Sequence, residues 1–180
     1  MRAASARSRD REAGVGPSTD ASVLRVPADM PWDQTGRTSK LPVSKWAEWG
    51  VTRADGSPLQ DNGLPAGLML PMGRNGPAFL GYRNFDVYIE WNQSFTYALT
   101  AAVLATQLAG APPYDPRNPE PGLGLEQMKE LQTRLVARGY DVGKVDGILG
   151  TNTREAVRQE QMRLGMAVDG WPTAELLAKL

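Results

Sequence analysis

The sequence predicts an α+β chain: a small antiparallel β unit with a buried helix, a Pro-rich linker, then a three-helix domain. Three observations carry this expectation. Residues 110–124, "GAPPYDPRNPEPGLG", hold five Pro and three Gly, a composition that excludes a helix or a packed strand and marks a linker. Before it, short apolar or alternating runs are separated by Asp-Gly, Pro and Asn-Gly signals, the pattern of strands joined by tight turns. After it, three short segments follow the helical period. The expected division is a disordered leader over 1–20, a first unit over 21–110, the linker over 111–122 and a second unit over 123–180. The second unit is short enough to have only a marginal core of its own.

The leader, "MRAASARSRDREAGVGPSTD", carries four Arg and no apolar run of signal-peptide length, so no secretory signal is visible in it. In "LPVSKWAEWGV", Val43, Trp46, Ala47 and Gly50 recur at spacings of three and four; a short helix is expected, capped by Ser44 and ended by Gly50. "GVTRADGSPL", "AGLMLPMGRNGPAFLGY" and "FDVYIEW" then read as two or three antiparallel strands. Alternation in the last of these places Phe85, Val87, Ile89 and Trp91 on one face, and Asp86, Tyr88 and Glu90 on the other. "SFTYALTAAVLATQL" follows, Ala/Leu-rich from a capping-type Ser94 to Leu108, and reads as a buried helix. The Asn92-Gln93 corner before it is a place where ligand-binding groups often gather.

In the second unit, Leu125, Met128, Leu131 and Leu135 follow the helical period, with Tyr140 beyond a Gly139 stop. Val145-Asp146-Gly147 and Val168-Asp169-Gly170 lie 23 positions apart, which suggests a duplicated helix-and-loop unit. Read from the residues alone, Asp146 and Asp169 are turn formers that bond nearby backbone, while the following Gly takes positive φ.

Charge and composition narrow the chemistry. Twenty basic residues balance twenty acidic ones, leaving no net field for nucleic acid or an anionic membrane surface. The chain has no His and no Cys, which removes imidazole catalysis, thiol chemistry and the commonest zinc ligands together. No metal or other cofactor is expected, and no stretch is long enough to span a membrane. Glu90 would be the obvious carboxylate to test. A lone outward-facing strand Glu has neither an apolar pocket to raise its pKa nor a second group to stabilise a developing cation, so no catalytic residue is assigned.

The string "LQTRLVARGYDVGKVDGILGTNTREAV" with "QMRLGMAVDGW" resembles the three-helix peptidoglycan-binding domain. The matching residues are Leu131, Gln132, Gly139, Tyr140, Asp146, Gly147, Gly150, Thr153, Ala156, Gln161 and Val168 to Gly170. Among these the resemblance marks Gly139, Tyr140, Asp146, Gly147, Thr153, Asp169 and Gly170, with Trp171, as its wall-binding motif. That family has a core Phe where this chain has Glu160, and a buried charge there would be costly.

The first unit resembles the C-terminal part of B-type lytic murein transglycosylases, through "LPVSKWAEWGV", "LPMGRNGPAFLGY", Asn84-Phe85 and "WNQSFTYAL". The resemblance implies that Asn92, Ser94 and Tyr97 lie on a glycan cleft, with Trp91 as a sugar-stacking wall. It also implies the chemistry of a complete enzyme. There a Glu protonates the glycosidic oxygen between N-acetylmuramic acid and N-acetylglucosamine, and the 6-hydroxyl closes a 1,6-anhydro ring. That Glu precedes Ser or Thr, and no Glu of this sequence does. The expectation is a truncated or degenerate transglycosylase that binds peptidoglycan glycan strands or stem peptides in the periplasm or cell envelope and is inactive alone. Two rivals are a structural or phage-associated wall adaptor and a helix-turn-helix-like DNA-binding protein. Against the second, residues 123–180 hold eight basic and eight acidic residues, too even for a phosphate-tracking stripe.

Overall fold

A computed structural model describes residues 19–20, 24–92, 94–111 and 113–180. Strands β1 (Thr19–Asp20), β3 (Leu41–Pro42), β5 (Pro65–Met69) and β6 (Phe79–Gly81) form an antiparallel sheet in the order β1-β6-β5-β3. β2 (Leu24–Arg25) and β4 (Thr52–Arg53) pair separately. Residues 1–18 of the expected leader lie outside the described residues, whereas Thr19–Asp20 are already a sheet edge paired with Gly81 and Leu80.

The β5–β6 hairpin organises the first unit because both of its faces are covered. Side chains alternate across a strand, so Ala66, Leu68 and Leu80 enter one core with Val43 and Trp46, while Met69 and Phe79 enter another with Phe85, Ala98, Leu99, Ala102 and Val103. That explains the nearly unbroken apolar run in the sequence. Helix α1 (Val43–Glu48) covers the first face, and its Trp46 indole donates to the Ala66 carbonyl at 2.8 Å. Gly50 ends α1 at φ +80 as expected, but Ser44 is not its cap. The helix begins directly from Pro42 of β3 with no side-chain cap, and Ser44 is an exposed residue inside it.

The second face is covered by helices α2 (Arg83–Asn92) and α3 (Phe95–Leu108), and here the strand expected over "FDVYIEW" is overturned. Phe85 and Ile89 are spaced for one helix face as well as for one strand face; Phe85 is buried and Ile89 packs on the same cluster. Asp86 sits in the first turn of α2, bonded to Arg37 at 2.8 Å and Lys40 at 3.1 Å. A carboxylate in that place suits the positive end of the helix. Val87 and Trp91, assigned to the apolar strand face, are instead exposed. Helix α3 is capped by Ser94, which accepts from the Tyr97 N–H. It is buried only along Ala98, Leu99, Ala102 and Val103, with Leu104 and Leu108 exposed, so the expectation of a buried helix holds for one face.

The second unit is the expected three-helix domain: α4 (Leu125–Ala137), α5 (Thr151–Arg163) and α6 (Ala174–Lys179) around Leu131, Leu135, Val157 and Leu176. Its two Asp-Gly turns are built alike. Buried Gln132 accepts from the Gly147 N–H at 2.8 Å, and buried Gln161 accepts from the Gly170 N–H at 2.8 Å. Asp146 accepts from the Ile148 N–H, and Asp169 from the Trp171 N–H, each at 2.9 Å. Each turn is thus held by its own carboxylate and by one interior amide, which satisfies backbone donors that would otherwise be orphaned.

A Cβ added to Gly147, at φ +80, would lie 2.9 Å from the Leu125 carbonyl oxygen. Gly147→Ala should cost about 2 kcal/mol, the left-handed penalty plus the clash. Gly56, at φ +84 with nothing within 4 Å, supplies the control. Chemical denaturation should show Gly56→Ala losing markedly less stability than Gly147→Ala.

The Pro-rich segment has neither helix nor strand among its described residues, but it is strapped down rather than loose. Asn118 donates its N–H to the Asn75 carbonyl, the Asn75 amide donates to Glu120, and Trp171 donates its indole N–H to the Glu120 carbonyl at 2.9 Å. Tyr114 stacks edge-on against Phe79 with centroids 5.9 Å apart. Composition reveals a chain that cannot make regular structure; it does not reveal that side chains from both units hold it.

Candidate functional site

The α2–α3 corner is fixed from beneath. Phe85 and Phe95 meet edge to face at 5.9 Å, and the Asp86 ion pairs tie α2 to residues 37–40. On this rigid base Trp91 is 78% exposed and Tyr97 52% exposed. Tyr88 and Val87 also face out, so four large side chains cover the outer surface of the corner. Asn92 is exposed and Ser94 half-exposed beside them. A buried-core role for Trp91 and Tyr97 is therefore ruled out. Ser94 does act as a helix cap. Exposed aromatic faces edged by an amide and a hydroxyl can stack on a sugar ring and bond its polar groups. Glu90 lies exposed on α2, without the apolar enclosure that turns a carboxyl into a general acid at neutral pH.

The two units meet at α5, and sequence reasoning missed the residues that join them. The Arg154 guanidinium donates to the Leu70 carbonyl at 3.3 Å, the Pro71 carbonyl at 3.0 Å and the Gly170 carbonyl at 3.2 Å. It also lies over the Phe95 ring at 5.1 Å and the Trp171 ring at 5.9 Å. One helical turn on, Arg158 donates to the Thr35 hydroxyl, the Asp33 carbonyl and the Val168 carbonyl. Asp169 reaches back to accept from the Arg74 N–H at 3.0 Å. Burial pushes the Arg154 pKa down to about 10, against the pull of Asp169, which leaves it charged at neutral pH. Arg158 is lowered by burial too, opposed by Glu155, Asp169 and Asp33. The available signal was two Arg at i, i+4 on the helix that carries the Thr153 motif; on a helix alone that pattern reads as a solvated face.

Three hollows open along this junction. One of about 640 Å³ lies between α3, the Pro-rich strap and the second unit, walled by Phe79, Leu99, Tyr114 and Trp171. A smaller one, about 260 Å³, is lined by Thr35, Arg37, Phe95, Asn152 and Arg158. The third, about 620 Å³, opens between Ile89 of α2 and residues 142–152 of the second unit. Of the wall-binding motif, Asp146 and Gly147 lie on these hollows with Trp171 and Asp169, whereas Thr153 is buried, donating to the Val142 carbonyl. Gly139 terminates α4 at φ +89 and Gly170 turns at φ +71. Tyr140 bonds Glu160, and burial followed by that bond raises its pKa. Among the described residues, no three His, Cys, Asp or Glu converge to hold a metal, and no helix is long and apolar enough to cross a membrane.

The fold is thus that of a modular protein: a hairpin-centred unit with an exposed aromatic corner, docked on a single three-helix domain whose two Asp-Gly turns are built alike. The chain belongs to the transglycosylase SLT domain family, whose model matches residues 15–106, and a putative peptidoglycan binding domain matches residues 125–180. Two crystal structures of SltB3 from Pseudomonas aeruginosa resemble it. The one in complex with NAG-NAM-pentapeptide is 38% identical with a TM-score of 0.73, and the one with NAG-anhNAM-pentapeptide is 36% identical with a TM-score of 0.68. Each comparison covers 91% of this chain and 44% of SltB3. A spore cortex-lytic enzyme of Bacillus cereus is 36% identical over 72 residues, 40% of this chain and 28% of that enzyme. The chain thus spans under half the length of these relatives.

Proposed function

We propose that this chain binds peptidoglycan in the cell envelope through two surfaces at once. The α2–α3 corner takes the glycan, with Trp91 and Tyr97 stacking on sugar rings and Asn92 and Ser94 bonding their polar substituents. The three-helix domain, with its motif residues from Gly139 to Trp171, adds wall contacts. In a complete transglycosylase the corner would form one side of the cleft in which a Glu on another lobe acts. No Glu of these 180 residues precedes Ser or Thr, so glycan binding rather than cleavage is the role proposed for them. The observation that carries this reading is the exposure of Trp91 and Tyr97 on a braced corner, since aromatic groups left in water on a rigid support signal a binding surface.

The test is co-sedimentation of residues 1–180 with insoluble peptidoglycan, with the supernatant assayed for 1,6-anhydromuropeptides. The wild-type chain should sediment and release no anhydro product. Trp91→Ala should weaken binding about tenfold, the loss of one stacked aromatic group. Absence of sedimentation overturns the proposal. Anhydro product that disappears in Glu90→Gln would make Glu90 catalytic after all.

A further inference from the structure

The two Asp-Gly turns of the second unit are equal in build and unequal in company. Residue for residue, Val145-Asp146-Gly147-Ile148 corresponds to Val168-Asp169-Gly170-Trp171. Each glycine N–H is taken by an interior Gln oxygen at 2.8 Å. The same amides donate to the last carbonyl of each turn, Gln132 to Ile148 at 3.0 Å and Gln161 to Trp171 at 3.2 Å. Backbone held in this way presents one carboxylate in the same setting twice, so a partner that bonds one turn can bond the other.

In the first turn Val145 is 46% and Ile148 65% exposed, and Asp146 lies in solvent. In the second, Val168 is 6% exposed and Gly170 is buried. The cover comes from the first unit. The Thr35 hydroxyl lies 3.3 Å from the Val168 carbonyl. Asp169 gives its Oδ1 to the turn and to Gln161, and the Arg74 N–H takes its Oδ2 at 3.0 Å. Gly73 approaches so closely that a Cβ there would stand 2.8 Å from the Trp171 Cβ and 3.1 Å from the same Asp169 oxygen. Asp146 likewise gives its Oδ1 to the Ile148 N–H, but among the described residues its other oxygen has no protein partner.

Resting on the wall-binding reading above, we infer that the two turns have divided the work: the Val145–Ile148 turn meets the wall, and the Val168–Trp171 turn is plugged by the first unit. The plug is reversible, since hydrogen bonds and one close packing contact make it. A turn open about 1% of the time binds about 100-fold more weakly than the same turn always open, so in the docked chain the second turn adds nothing. Freed, it gives the chain a second wall contact on a short tether to the first. Docking and wall contact at this turn exclude each other, so each weakens the other by linkage.

Gly73→Val tests this without touching the second turn, by forcing a branched side chain against Trp171. Gly63→Val is its control, with similar left-handed strain at φ +73 instead of +76 and nothing within 4 Å. Scanning calorimetry of the full chain reports docking, and co-sedimentation with insoluble peptidoglycan reports binding. Gly73→Val should split the thermal transition and tighten binding about tenfold; Gly63→Val should do neither. The paired substitution Asp146→Asn with Ile148→Ala should weaken the wild-type chain about tenfold. In the Gly73→Val background it should cost less than about threefold, because the freed turn takes over. A split transition with no gain in binding and full sensitivity to the paired substitution overturns the inference, as does a paired substitution without effect on the wild-type chain. If Gly73→Val leaves one transition, Arg158→Ala is added and the same criteria apply; one transition persisting there overturns the inference too. These failures leave the wall-binding reading intact, whereas a wild-type chain that does not sediment defeats both.

Discussion

Arg154→Ala should uncouple the two units. The guanidinium supplies donors to two carbonyls of the first unit and one of the second, and it fills the space between Phe95 and Trp171. Hydrogen bonds from a charged donor contribute about 1.5–3 kcal/mol each, and their partners would be left in a dry junction. Because the bonds share one side chain their losses do not add, and a total of about 4 kcal/mol is expected. Its Nε is buried with no hydrogen-bond partner, a cost that the native bonds outweigh. Scanning calorimetry should show one cooperative transition for the wild-type chain and two for the variant, with faster proteolysis within residues 109–124. Arg154→Lys should behave nearly as badly, since an ammonium cannot span three carbonyls in fixed directions. One unshifted transition in both variants would show that the contacts at Arg158 and Trp171 suffice to hold the units together.

The second large effect concerns Glu160, at the position where the sequence resemblance places a core Phe. Its side chain is 1% exposed, bonded to Arg163 at 2.7 Å, near Arg138 at 3.8 Å and hydrogen-bonded to Tyr140. Burial raises its pKa, but the bonds from Arg163 and Tyr140 outweigh that and lower it from the ordinary Glu value. A carboxyl whose folded pKa lies below its unfolded value stabilises the fold fully above the unfolded value, and that contribution is lost as pH falls through the folded pKa. The melting temperature of the second unit should therefore fall below about pH 5, where a free Glu begins to protonate, and Glu160→Gln should lose less of its stability across the same range. At neutral pH Glu160→Ala should cost about 3 kcal/mol, from the charged bonds and the space left behind. Glu160→Phe replaces an ion cluster with apolar volume and should be neutral or stabilising by up to about 3 kcal/mol. An acid profile shared by Glu160→Gln and the wild type would place the titration elsewhere.

How much could be read in advance depended on the range of the interaction involved. The three helices of the second unit and its paired Asp-Gly turns were legible because they rest on local spacing and on glycine at positive φ. The corner residues Trp91, Asn92, Ser94 and Tyr97 were singled out through a motif, not through physics. Their exposure could not be foreseen, since an aromatic residue reads alike in a core and on a surface. The α2 segment was misread because Phe85, Val87, Ile89 and Trp91 alternate, and Phe85 with Ile89 satisfies a helical face equally well. What separates the two readings is long-range: Asp86 meeting Arg37 and Lys40, and Phe85 meeting Phe95.

By itself the sequence determined the α+β class, the Pro-rich break, the three-helix domain and the absence of His and Cys chemistry, because composition and short-range periodicity fix these. Only the tertiary structure decided that α2 is a helix, that the Pro-rich segment is strapped, that the Glu160 charge is satisfied in the interior, and that Arg154 and Arg158 join the units. Each of these depends on which partner arrives across a large sequence separation. Arg158 and Thr35 are 123 residues apart, and nothing local to either residue announces the other.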